Sequence, residues 1–421
     1  MTKTIALIAL GSRGDVQPIL ALAAGLRDVG HSVRIATHES LRHYVERHGF
    51  AFRLVRPDLG GMLQEPRVRD SMERGTFDMI VKFRAMMQEI RPQLDGMAND
   101  MFDACLGADL IVHPKVYGSA CHYIARGLGV PSVAFGLQPA DPTGDFATLA
   151  LPPRTHLGRR MNAWSHALAI NALAWQPFRA STNAMLQRRL PTIRATRAGP
   201  FAEMQRHEIP MLYAFSEHVV PRPTDWSDAL HLTGYWWFDD AGWRPPDELT
   251  RFLEAGPPPV YVGFGSMPSG SPRITRVVLD ALRGSGQRGI LAGRWEGIPD
   301  SERACVFLAD DVPHRWLFPR TAAVVHHSGA GTTAAALRAG VPSINVPFFV
   351  DQPFWGERVR ALGVGPNPIP MRHLNADRLA MAIKQAVSGS AMRDRCVALS
   401  ERLASDRGVA RAVEVIEAAL T

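Results

Sequence analysis

The chain has 421 residues, of which 46% are hydrophobic and 21% are charged, and its formal net charge is +7. These values are typical of a globular protein and exclude the disordered and fibrous classes, and the length favours two domains of about 200 residues each. The arginines are scattered and no zinc-finger or RNA-binding pattern occurs, so no nucleic-acid partner is expected. The positive charge can instead attract nucleotide phosphates or an anionic lipid surface.

The cysteines and the apolar runs both indicate a cytoplasmic protein. The four cysteines lie far apart without a C-x-x-C pair, which favours free thiols in a reducing compartment over a disulfide frame or a zinc site. The apolar run near the start ends in a glycine turn and predicts a first strand rather than a signal peptide. The run at 163–175 is too short to span a bilayer. We expect no membrane-spanning segment; peripheral contact with a membrane stays open, and no oligomeric state is indicated.

The first half of the chain alternates strands and helices. The predicted order is a strand over 3–10, a turn, a helix that ends at Gly30, a strand over 32–38 and a second glycine-terminated helix. Two later strands, over 108–114 and 131–137, are separated by another helix. This order predicts a parallel, doubly wound sheet.

Residues 141–205 break this alternation. They form a proline-punctuated, tryptophan-bearing helical stretch, the kind of insertion in which α/β domains build substrate specificity. After a connection rich in Pro, Trp and Asp, a second doubly wound half begins. Its strands are predicted over 258–266, 288–293, 304–309, 322–327 and 342–348. Two parallel sheets that face each other share one cleft beyond the carboxyl ends of their strands, and a ligand is expected there.

The stretch VVHHSGAGTT lies where a strand passes into a helix. Glycines allow close backbone approach and a helix N-terminus presents unpaired N–H groups, so the pattern predicts an anion site, and a phosphate is the best candidate. The neighbouring His326 and His327 point to opposite sides of a strand, so one of them is expected to be structural. The candidate ligands are His327, Gly329, Gly331 and Thr332. An ordinary glycine-rich turn is the alternative.

The turn GSRGDVQP after the first strand contains a candidate proton acceptor. Its Gly11 and Gly14 permit a tight turn, and Asp15 lies at the N-terminus of the next helix, facing the cleft. Asp15 fits two roles, a helix N-cap or a catalytic base, which are compatible only if the carboxylate keeps a free lone pair. Ser12 in the same turn is a candidate phosphate ligand.

Three more strand ends carry polar residues. Ser266, in the turn GFGSM, is either a phosphate ligand or a turn-forming serine. Asp351 and Gln352 offer a carboxylate beside a carboxamide, which suits the hydroxyls of a sugar, although Asp-Gln-Pro also makes an ordinary turn. Their place one strand beyond the anion loop favours the sugar interpretation. His113 is a second candidate base, for which a core or turn histidine is the favoured alternative.

Together these motifs resemble a known family. The stretch from DVPHRWLFPR through VVHHSGAGTT to DQPFWGERV, over 311–359, resembles the nucleotide-sugar signature of the family 1 UDP-glycosyltransferases, which have the GT-B fold. GSRGDVQP and GHSVRIATHESLRHYVERHG resemble the start shared by sterol glucosyltransferases and glycopeptide-antibiotic glycosyltransferases. PHRWLFPR, DQPFWGERV and GPNPIP are similar to the sterol-type branch. The resemblance covers nearly the whole chain and is weakest over 55–110 and 140–205.

The resemblance implies an α/β protein of GT-B fold with two facing Rossmann-like domains. It implies an acceptor-binding domain over 1–215, a linker over 216–250, a nucleotide-sugar domain over 251–400, and a C-terminal helix over 401–421 that can pack back on the N-terminal domain.

The resemblance also implies roles for single residues. His327 matches the diphosphate-binding histidine, with Gly329, Gly331 and Thr332 lining the same loop. Asp351 and Gln352 match the sugar-hydroxyl pair, and Asp15 stands where sterol-type members carry an aspartate. Asp311 replaces the tryptophan that stacks on uracil in plant members. Base recognition is thereby left to the backbone around Val312 or to Trp295 or Trp316, and the choice between UDP and TDP stays open.

The implied reaction is inverting transfer of a hexose, with UDP-glucose or a TDP-sugar as co-substrate, to a hydroxyl of a lipophilic acceptor such as a sterol or triterpenoid. An aspartate with a reference pKa of about 3.9 takes the proton late, as the new C–O bond forms. No Asp-x-Asp motif occurs, so metal independence and no bound cofactor are expected. Trp164, in the apolar segment 161–178, is a candidate for the acceptor pocket.

Two alternatives stay open. One is a tailoring transferase that acts on a polyketide, macrolide or glycopeptide antibiotic with a TDP- or UDP-sugar. The other is a catalytically silent nucleotide-sugar-binding partner of another transferase, which is expected to lack the base that Asp15 can supply.

Overall fold

A computed structural model of the chain describes residues 1–58, 91–239, 242–265 and 271–421. The apolar runs of the first half form buried strands of one parallel sheet, because a parallel sheet is covered by helices on both faces. The seven strands lie in the order β3-β2-β1-β4-β5-β6-β7. They are β1 (Thr4–Ile8), β2 (Ser32–Thr37), β3 (Ala51–Leu54), β4 (Leu110–Pro114), β5 (Ser132–Gly136), β6 (Met211–Tyr213) and β7 (Leu230–Leu232).

Helices cover both faces of this first sheet. They are α1 (Arg13–Asp28), α2 (Arg42–Glu46), α3 (Arg91–Cys105), α4 (Ala120–Leu128), α5 (Arg159–Ile170), α6 (Arg179–Arg189) and α7 (Gly199–Arg206). A single π-helical turn, Asn171–Trp175, follows α5 directly. The helical character predicted for 141–205 is therefore present as α5, α6 and most of α7.

The second sheet is also parallel, with its five strands in the order β10-β9-β8-β11-β12. Its strands are β8 (Val260–Gly263), β9 (Gly289–Ala292), β10 (Val306–Ala309), β11 (Ala323–His326) and β12 (Ser343–Asn345). Its helices are α8 (Asp247–Glu254), α9 (Pro272–Ser285), α10 (His314–Leu317), α11 (Ala330–Arg338), α12 (Gln352–Leu362), α13 (Ala376–Ser388), α14 (Ser390–Ala404) and α15 (Gly408–Ala419). Short 3-10 turns occupy Glu39–Leu41, Asp300–Glu302, Phe318–Arg320 and Met371–His373. The two doubly wound sheets confirm the predicted fold class.

Three strands of the first sheet were not predicted. β3 has four residues, and β6 and β7 have three each, which is too short for a hydrophobic period to be recognised. β7 lies inside 216–250, so the segment predicted as a linker contributes the edge strand of the first sheet. The pairing of Met211 with Leu230 shows that this strand is added only by tertiary contact with β6.

The last helix returns to the first sheet. α15 packs on α1, and a Cβ added at Gly25 would lie 2.4 Å from Cγ1 of Val409, so glycine is what allows this close approach. Residues 401–404 belong to the preceding helix, α14. Within the described ranges, no helix is long and apolar enough to cross a membrane.

Candidate active site

The strand order places one cleft at the centre of both sheets. In the first sheet the order reverses direction between β1 and β4, and in the second sheet between β8 and β11. Ligands of open α/β sheets bind at such switch points, beyond the carboxyl ends of the strands. The two glycine turns that follow β1 and β11 meet there, since a Cβ added at Gly331 would lie 3.9 Å from the carbonyl oxygen of Gly14.

Asp15 lies on the first-sheet side of this cleft, in the first turn of α1. The N-cap of α1 is Ser12, three residues before Asp15, so the alternative in which Asp15 is the N-cap is corrected: Asp15 is the N3 residue of the capping box. Asp15 Oδ2 accepts hydrogen bonds from the backbone N–H of Ser12 at 2.7 Å and from its hydroxyl at 3.0 Å. Oδ1 accepts no hydrogen bond from any other residue that the structure describes. The carboxylate therefore holds the turn with one oxygen and keeps the other for a ligand.

Ser12 has a different role from the one predicted. Its hydroxyl proton is donated to Asp15, so the hydroxyl is not available as a hydrogen-bond donor to a phosphate. Gly11, at φ 125°, is required in the same turn because an added Cβ would lie 2.4 Å from Oδ2 of Asp15. Ser12 and Gly11 thus position the carboxylate.

Burial raises the pKa of Asp15, against the hydrogen bonds from Ser12 and the charge of His38, which lower it. His38 follows β2 and was not singled out in the sequence. Its Nε2 accepts from the backbone N–H of Gly11 at 3.2 Å, and its Nδ1 lies 2.9 Å from the carbonyl oxygen of Val55. Through these two contacts the ring links the turn after β1 to the end of β3.

His327 lies on the opposite side of the cleft, with its ring enclosed by two glycines. A Cβ added at Gly329 would lie 2.4 Å from its Nε2, and one added at Gly265 would lie 2.9 Å from its Cε1. Its Nδ1 is buried and has no hydrogen-bond partner among the described residues. Burial, and then the charge of His314, lower the pKa of His327 to about 4. The ring is neutral at pH 7 and has a nitrogen that is not yet paired.

The rest of the loop is built around His326. This side chain is buried, with Nε2 2.7 Å from Oγ of Ser343 and Nδ1 accepting from the backbone N–H of Ser328 at 3.1 Å. It is the structural member of the histidine pair. Gly329 is the N-cap of α11, and Gly331 and Thr332 belong to its first turn, where backbone N–H groups have no helical partner.

Asp351 is the N-cap of α12 and follows a strained residue. Val350 has a φ of 57°, which a β-branched residue rarely adopts. Asp351 Oδ2 accepts from the indole N–H of Trp355 at 3.0 Å. Burial, and then the charge of Asp15, raise the pKa of Asp351 to about 6. The two carboxyls follow strands of different sheets, and the charge of Asp15 reaches Asp351.

Tyr117, in the loop after β4, is a third group in this cleft and was not predicted. Tyr117 is 38% exposed; its partial desolvation, and then the charges of Asp15 and Asp351, raise its pKa to about 12. Its ring meets that of Phe178 edge to face, with the centroids 6.2 Å apart. The composition of this loop gives no sign of a functional tyrosine. Its position after β4, beside the β1/β4 switch point, is the one feature that points to Tyr117 as a residue of the cleft.

Gln352 is buried and has a structural contact. Its Oε1 accepts from the backbone N–H of Phe348 at 2.8 Å and of Phe349 at 3.4 Å. Its carboxamide oxygen therefore holds the loop before α12, and direct binding of a sugar hydroxyl by Gln352 stays a prediction.

The three candidates for recognition of the nucleobase differ in their surroundings. Trp295 donates its indole N–H to the carbonyl oxygen of Ala292 at 3.0 Å, and its ring centroid lies 6.1 Å from that of Phe264. The N–H of Val312 donates to the carbonyl oxygen of Asp310 at 2.7 Å. Trp316 is covered by the guanidinium of Arg320 at 4.3 Å and by Trp243 at 5.2 Å. This packing removes Trp316 as a stacking platform.

Two other predicted residues lie away from the cleft, and a third cannot be placed. His113 is fully buried, its Nδ1 lies 3.3 Å from the carbonyl oxygen of Pro114, and burial lowers its pKa to about 4. It is a core histidine and cannot reach a substrate as a second base. Trp164 is 58% exposed on the solvent side of α5. Ser266 lies outside the described residues.

Among the described residues, no group of three His, Cys, Asp or Glu side chains could hold a metal ion; metal independence stays a prediction.

Two family models match the chain. The glycosyltransferase family 28 N-terminal domain matches residues 5–111, and the C-terminal domain of the erythromycin biosynthesis protein CIII-like family matches residues 295–418. Among solved structures, the glycotransferase of kitacinnamycin superposes with a TM-score of 0.70 at 20% identity, covering 100% of both chains. UGT89C1 of Arabidopsis thaliana superposes with a TM-score of 0.68 at 13% identity, again over 100% of both chains. These structures show the same fold.

Curated relatives are of two kinds. The chain is 36% identical to O-mycaminosyltylonolide 6-deoxyallosyltransferase of Streptomyces fradiae, over 98% of this chain and 96% of that protein. It is 34% identical to sterol 3-beta-glucosyltransferase UGT80B1 of Arabidopsis thaliana, over 97% of this chain and 67% of that protein. It spans 27% of the length of the sterol 3-beta-glucosyltransferase of Cryptococcus neoformans, at 34% identity. The chain therefore belongs to the glycosyltransferases of GT-B fold, and it is homologous to both sterol glucosyltransferases and macrolide glycosyltransferases.

Proposed function

We propose that this glycosyltransferase moves a hexose from UDP-glucose to a hydroxyl of a lipophilic acceptor such as a sterol or triterpenoid, with inversion at the anomeric carbon. The observation that carries the proposal is that the turns of Asp15 and His327 meet across one cleft, where the charge of Asp15 also raises the pKa of Asp351. Carboxyls of opposite domains in electrostatic contact suit a reaction centre that lies between an acceptor and a sugar donor.

Asp15 is the proposed base. The acceptor oxygen attacks the anomeric carbon, the bond from that carbon to the diphosphate breaks, and the acceptor proton passes to Oδ1 of Asp15. An alcohol is too weak an acid to lose its proton to an ordinary carboxylate before bond formation, so the transfer is late. The raised pKa of Asp15 favours this step, because a stronger base takes the proton more readily.

The leaving diphosphate is proposed to bind at the start of α11. The backbone N–H groups around Gly331 and Thr332 and the positive end of the helix stabilise the charge that develops on the leaving oxygen. His327 supports this as a neutral donor, since its pKa of about 4 leaves one ring N–H at pH 7 and a buried Nδ1 without a partner.

Asp351 is proposed to bind hydroxyls of the donor sugar. Its Oδ2 is oriented by Trp355, so that the remaining lone pairs face the cleft. Gln352 contributes indirectly, by holding the loop that precedes α12. Tyr117, whose pKa the charge of Asp15 raises, is proposed to contact the acceptor, with the buried ring of Phe178 supporting it. Trp295 stays the candidate for contact with the nucleobase.

A tailoring role is the second candidate. The Streptomyces relative is matched over 96% of its length, whereas the sterol relatives extend beyond this chain. The identity to the Streptomyces relative, 36%, is no lower than the 34% to UGT80B1, and it supports a transferase that acts on a polyketide, macrolide or glycopeptide aglycone with a TDP- or UDP-sugar.

Analysis of the reaction products distinguishes the sterol-type function from the tailoring function. The purified chain is incubated with UDP-glucose and with a TDP-hexose, each beside a panel of sterols and macrocyclic aglycones, and the products are resolved by mass spectrometry. A sterol that gains the mass of a hexose from UDP-glucose, and does not with Asp15→Asn, supports the leading proposal. A glycosylated macrocycle with no sterol product supports the second. Absence of any product with every pair contradicts both and points to the silent-partner alternative.

A further inference from the structure

Helix α5 is amphipathic with its apolar side turned outward. Met161, Trp164 and Leu168 lie on one stripe of the helix and are 49%, 58% and 53% exposed. Large side chains at such spacing normally face a core. A contiguous apolar stripe of this kind on a solvent-exposed face marks an interaction surface.

The inward side of α5 is polar and fully hydrogen-bonded. Asn162 donates from Nδ2 to the carbonyl oxygen of Gly144 at 2.9 Å, and Ser165 Oγ accepts from the backbone N–H of Thr148 at 3.0 Å. His166 Nε2 lies 3.0 Å from the carbonyl oxygen of Phe146. Turning the apolar stripe inward would break all three bonds at buried groups, so these tertiary hydrogen bonds hold the stripe outward.

The same contacts place α5 at the rim of the cleft. Phe146, which the helix holds, packs on Phe354 of α12 with the ring centroids 5.7 Å apart. α12 begins directly after Asp351. The apolar stripe is therefore separated from the proposed sugar site by one loop.

The chain around α5 is rich in arginine. Residues 151–202 contain eight arginines and no lysine, aspartate or glutamate, whereas the whole chain has a net charge of only +7. Arg160 is exposed on α5, whereas Arg159, at the start of the same helix, pairs with Asp145 at 2.7 Å and lies 3.6 Å from Asp225. The arginines outnumber these two acids, so the apolar stripe has a net positive surround, which fits an anionic, apolar surface.

We propose that the outer face of α5 docks on an anionic lipid bilayer, with Met161, Trp164 and Leu168 inserted among the acyl chains and the arginines at the phosphates. Amphipathic helices that lie in the interface bind in this way, and arginines near an anionic surface add electrostatic attraction. The proposal goes beyond the proposed function and holds for either class of acceptor. It places the mouth of the cleft against the phase in which a lipophilic acceptor dissolves.

Vesicle co-sedimentation tests the proposal. The full chain is mixed with vesicles of phosphatidylcholine alone and of phosphatidylcholine with phosphatidylglycerol, at low and at physiological salt. Wild type is compared with the double variant Met161→Gln/Leu168→Gln, which leaves the charge unchanged. Met381→Gln is the matched control, since Met381 is 63% exposed on α13 of the second sheet.

We expect wild type and Met381→Gln to bind the anionic vesicles and the double variant to bind at least ten-fold more weakly, with an unchanged melting temperature. Trp164→Gln serves as the test if the double variant does not fold. Failure of wild type to bind anionic vesicles overturns the proposal, as does equal binding by the double variant, because attraction would then be due to charge alone. A wild-type dimer that the double variant converts to monomers overturns it in favour of a contact between copies. None of these outcomes affects transfer to a detergent-dispersed acceptor, which tests the proposed function separately.

Discussion

The turns that follow β1 and β11 have the same construction and opposite chemistry. Each passes from a buried strand through glycines to a helix N-terminus, and in each a Cβ on one glycine would lie 2.4 Å from a functional atom: Oδ2 of Asp15 at Gly11, and Nε2 of His327 at Gly329. The first turn presents a carboxyl with a raised pKa, and the second a neutral imidazole. The same turn architecture thus presents a proton acceptor, Asp15, on one side of the cleft and an anion-binding group, His327, on the other. The chemistry of each turn depends on that one side chain.

Removing the acid is expected to have the largest effect. Asp15→Asn keeps an oxygen that accepts from Ser12 but cannot take a proton, so the rate of transfer should fall by about 10²–10⁴-fold while donor binding changes little. Single-turnover kinetics and nucleotide titration measure the two quantities. Asp28→Asn, at the exposed other end of α1, is the matched control. Near-full activity of Asp15→Asn would contradict the role of this carboxyl as base.

A methyl group placed against the imidazole of His327 tests the turn that follows β11. Gly329 has a φ of −63°, which alanine adopts without strain, so Gly329→Ala acts only through its Cβ beside His327. Displacement of the ring should lower kcat/KM for the nucleotide sugar by about ten- to hundredfold. Gly284→Ala in α9, where the nearest atom would be 3.6 Å away, controls for the substitution itself. A ring that does not contribute to donor binding would leave both variants equal to wild type.

The contact between the two sides is tested by pH. The pKa of Asp351 is raised from 3.8 to about 6, so the folded state keeps a proton that the unfolded chain has lost. The stability due to this carboxyl is present below about pH 4 and is lost as the pH rises through 6. Asp351→Asn should therefore raise the free energy of unfolding at pH 7 by about 1–3 kcal/mol relative to its effect at pH 4.

Urea unfolding of both proteins from pH 4 to pH 8 measures this difference, and Asp394→Asn on α14 serves as the surface control. Adding Asp15→Asn should shrink the effect, because the charge of Asp15 is one cause of the raised pKa. A difference between wild type and Asp351→Asn that does not vary with pH would show that the carboxyl is not perturbed.

The smallest effect is expected where the two sides form an ion pair across the cleft. Arg13, at the start of α1, pairs with Asp311 before α10, and both side chains are largely exposed. Exposed pairs contribute little, so Asp311→Asn should lower the free energy of unfolding by less than about 1 kcal/mol. A double-mutant cycle with Arg13→Gln in urea isolates the pair. A coupling above about 2 kcal/mol would mean that the pair holds the domains together.

The sequence by itself determined the local units. Apolar runs of four or more residues, each followed by glycines and an apolar-periodic stretch, predict β1, β2, β4, β5 and the strands of the second sheet, because a strand and a helix differ in hydrophobic period. The same rule placed Asp15, His327 and Asp351 at strand ends, and parallel strands bring such ends to one edge. The resemblance to GT-B transferases depends on these same residues.

Only the tertiary structure decided which neighbours those residues meet. In the folded chain the hydroxyl of Ser12 donates a hydrogen bond to Asp15, and His113 is buried beneath α4. Arg320 covers the ring of Trp316, and Tyr117 lies in the cleft. The tertiary structure also turned the apolar stripe of α5 outward, because the polar side of that helix found its hydrogen bonds in the loop over 144–148. Local pattern depends on residues a few positions apart, whereas burial and pairing depend on groups that are far apart in the chain, and those determine a side chain's pKa, partners and exposure.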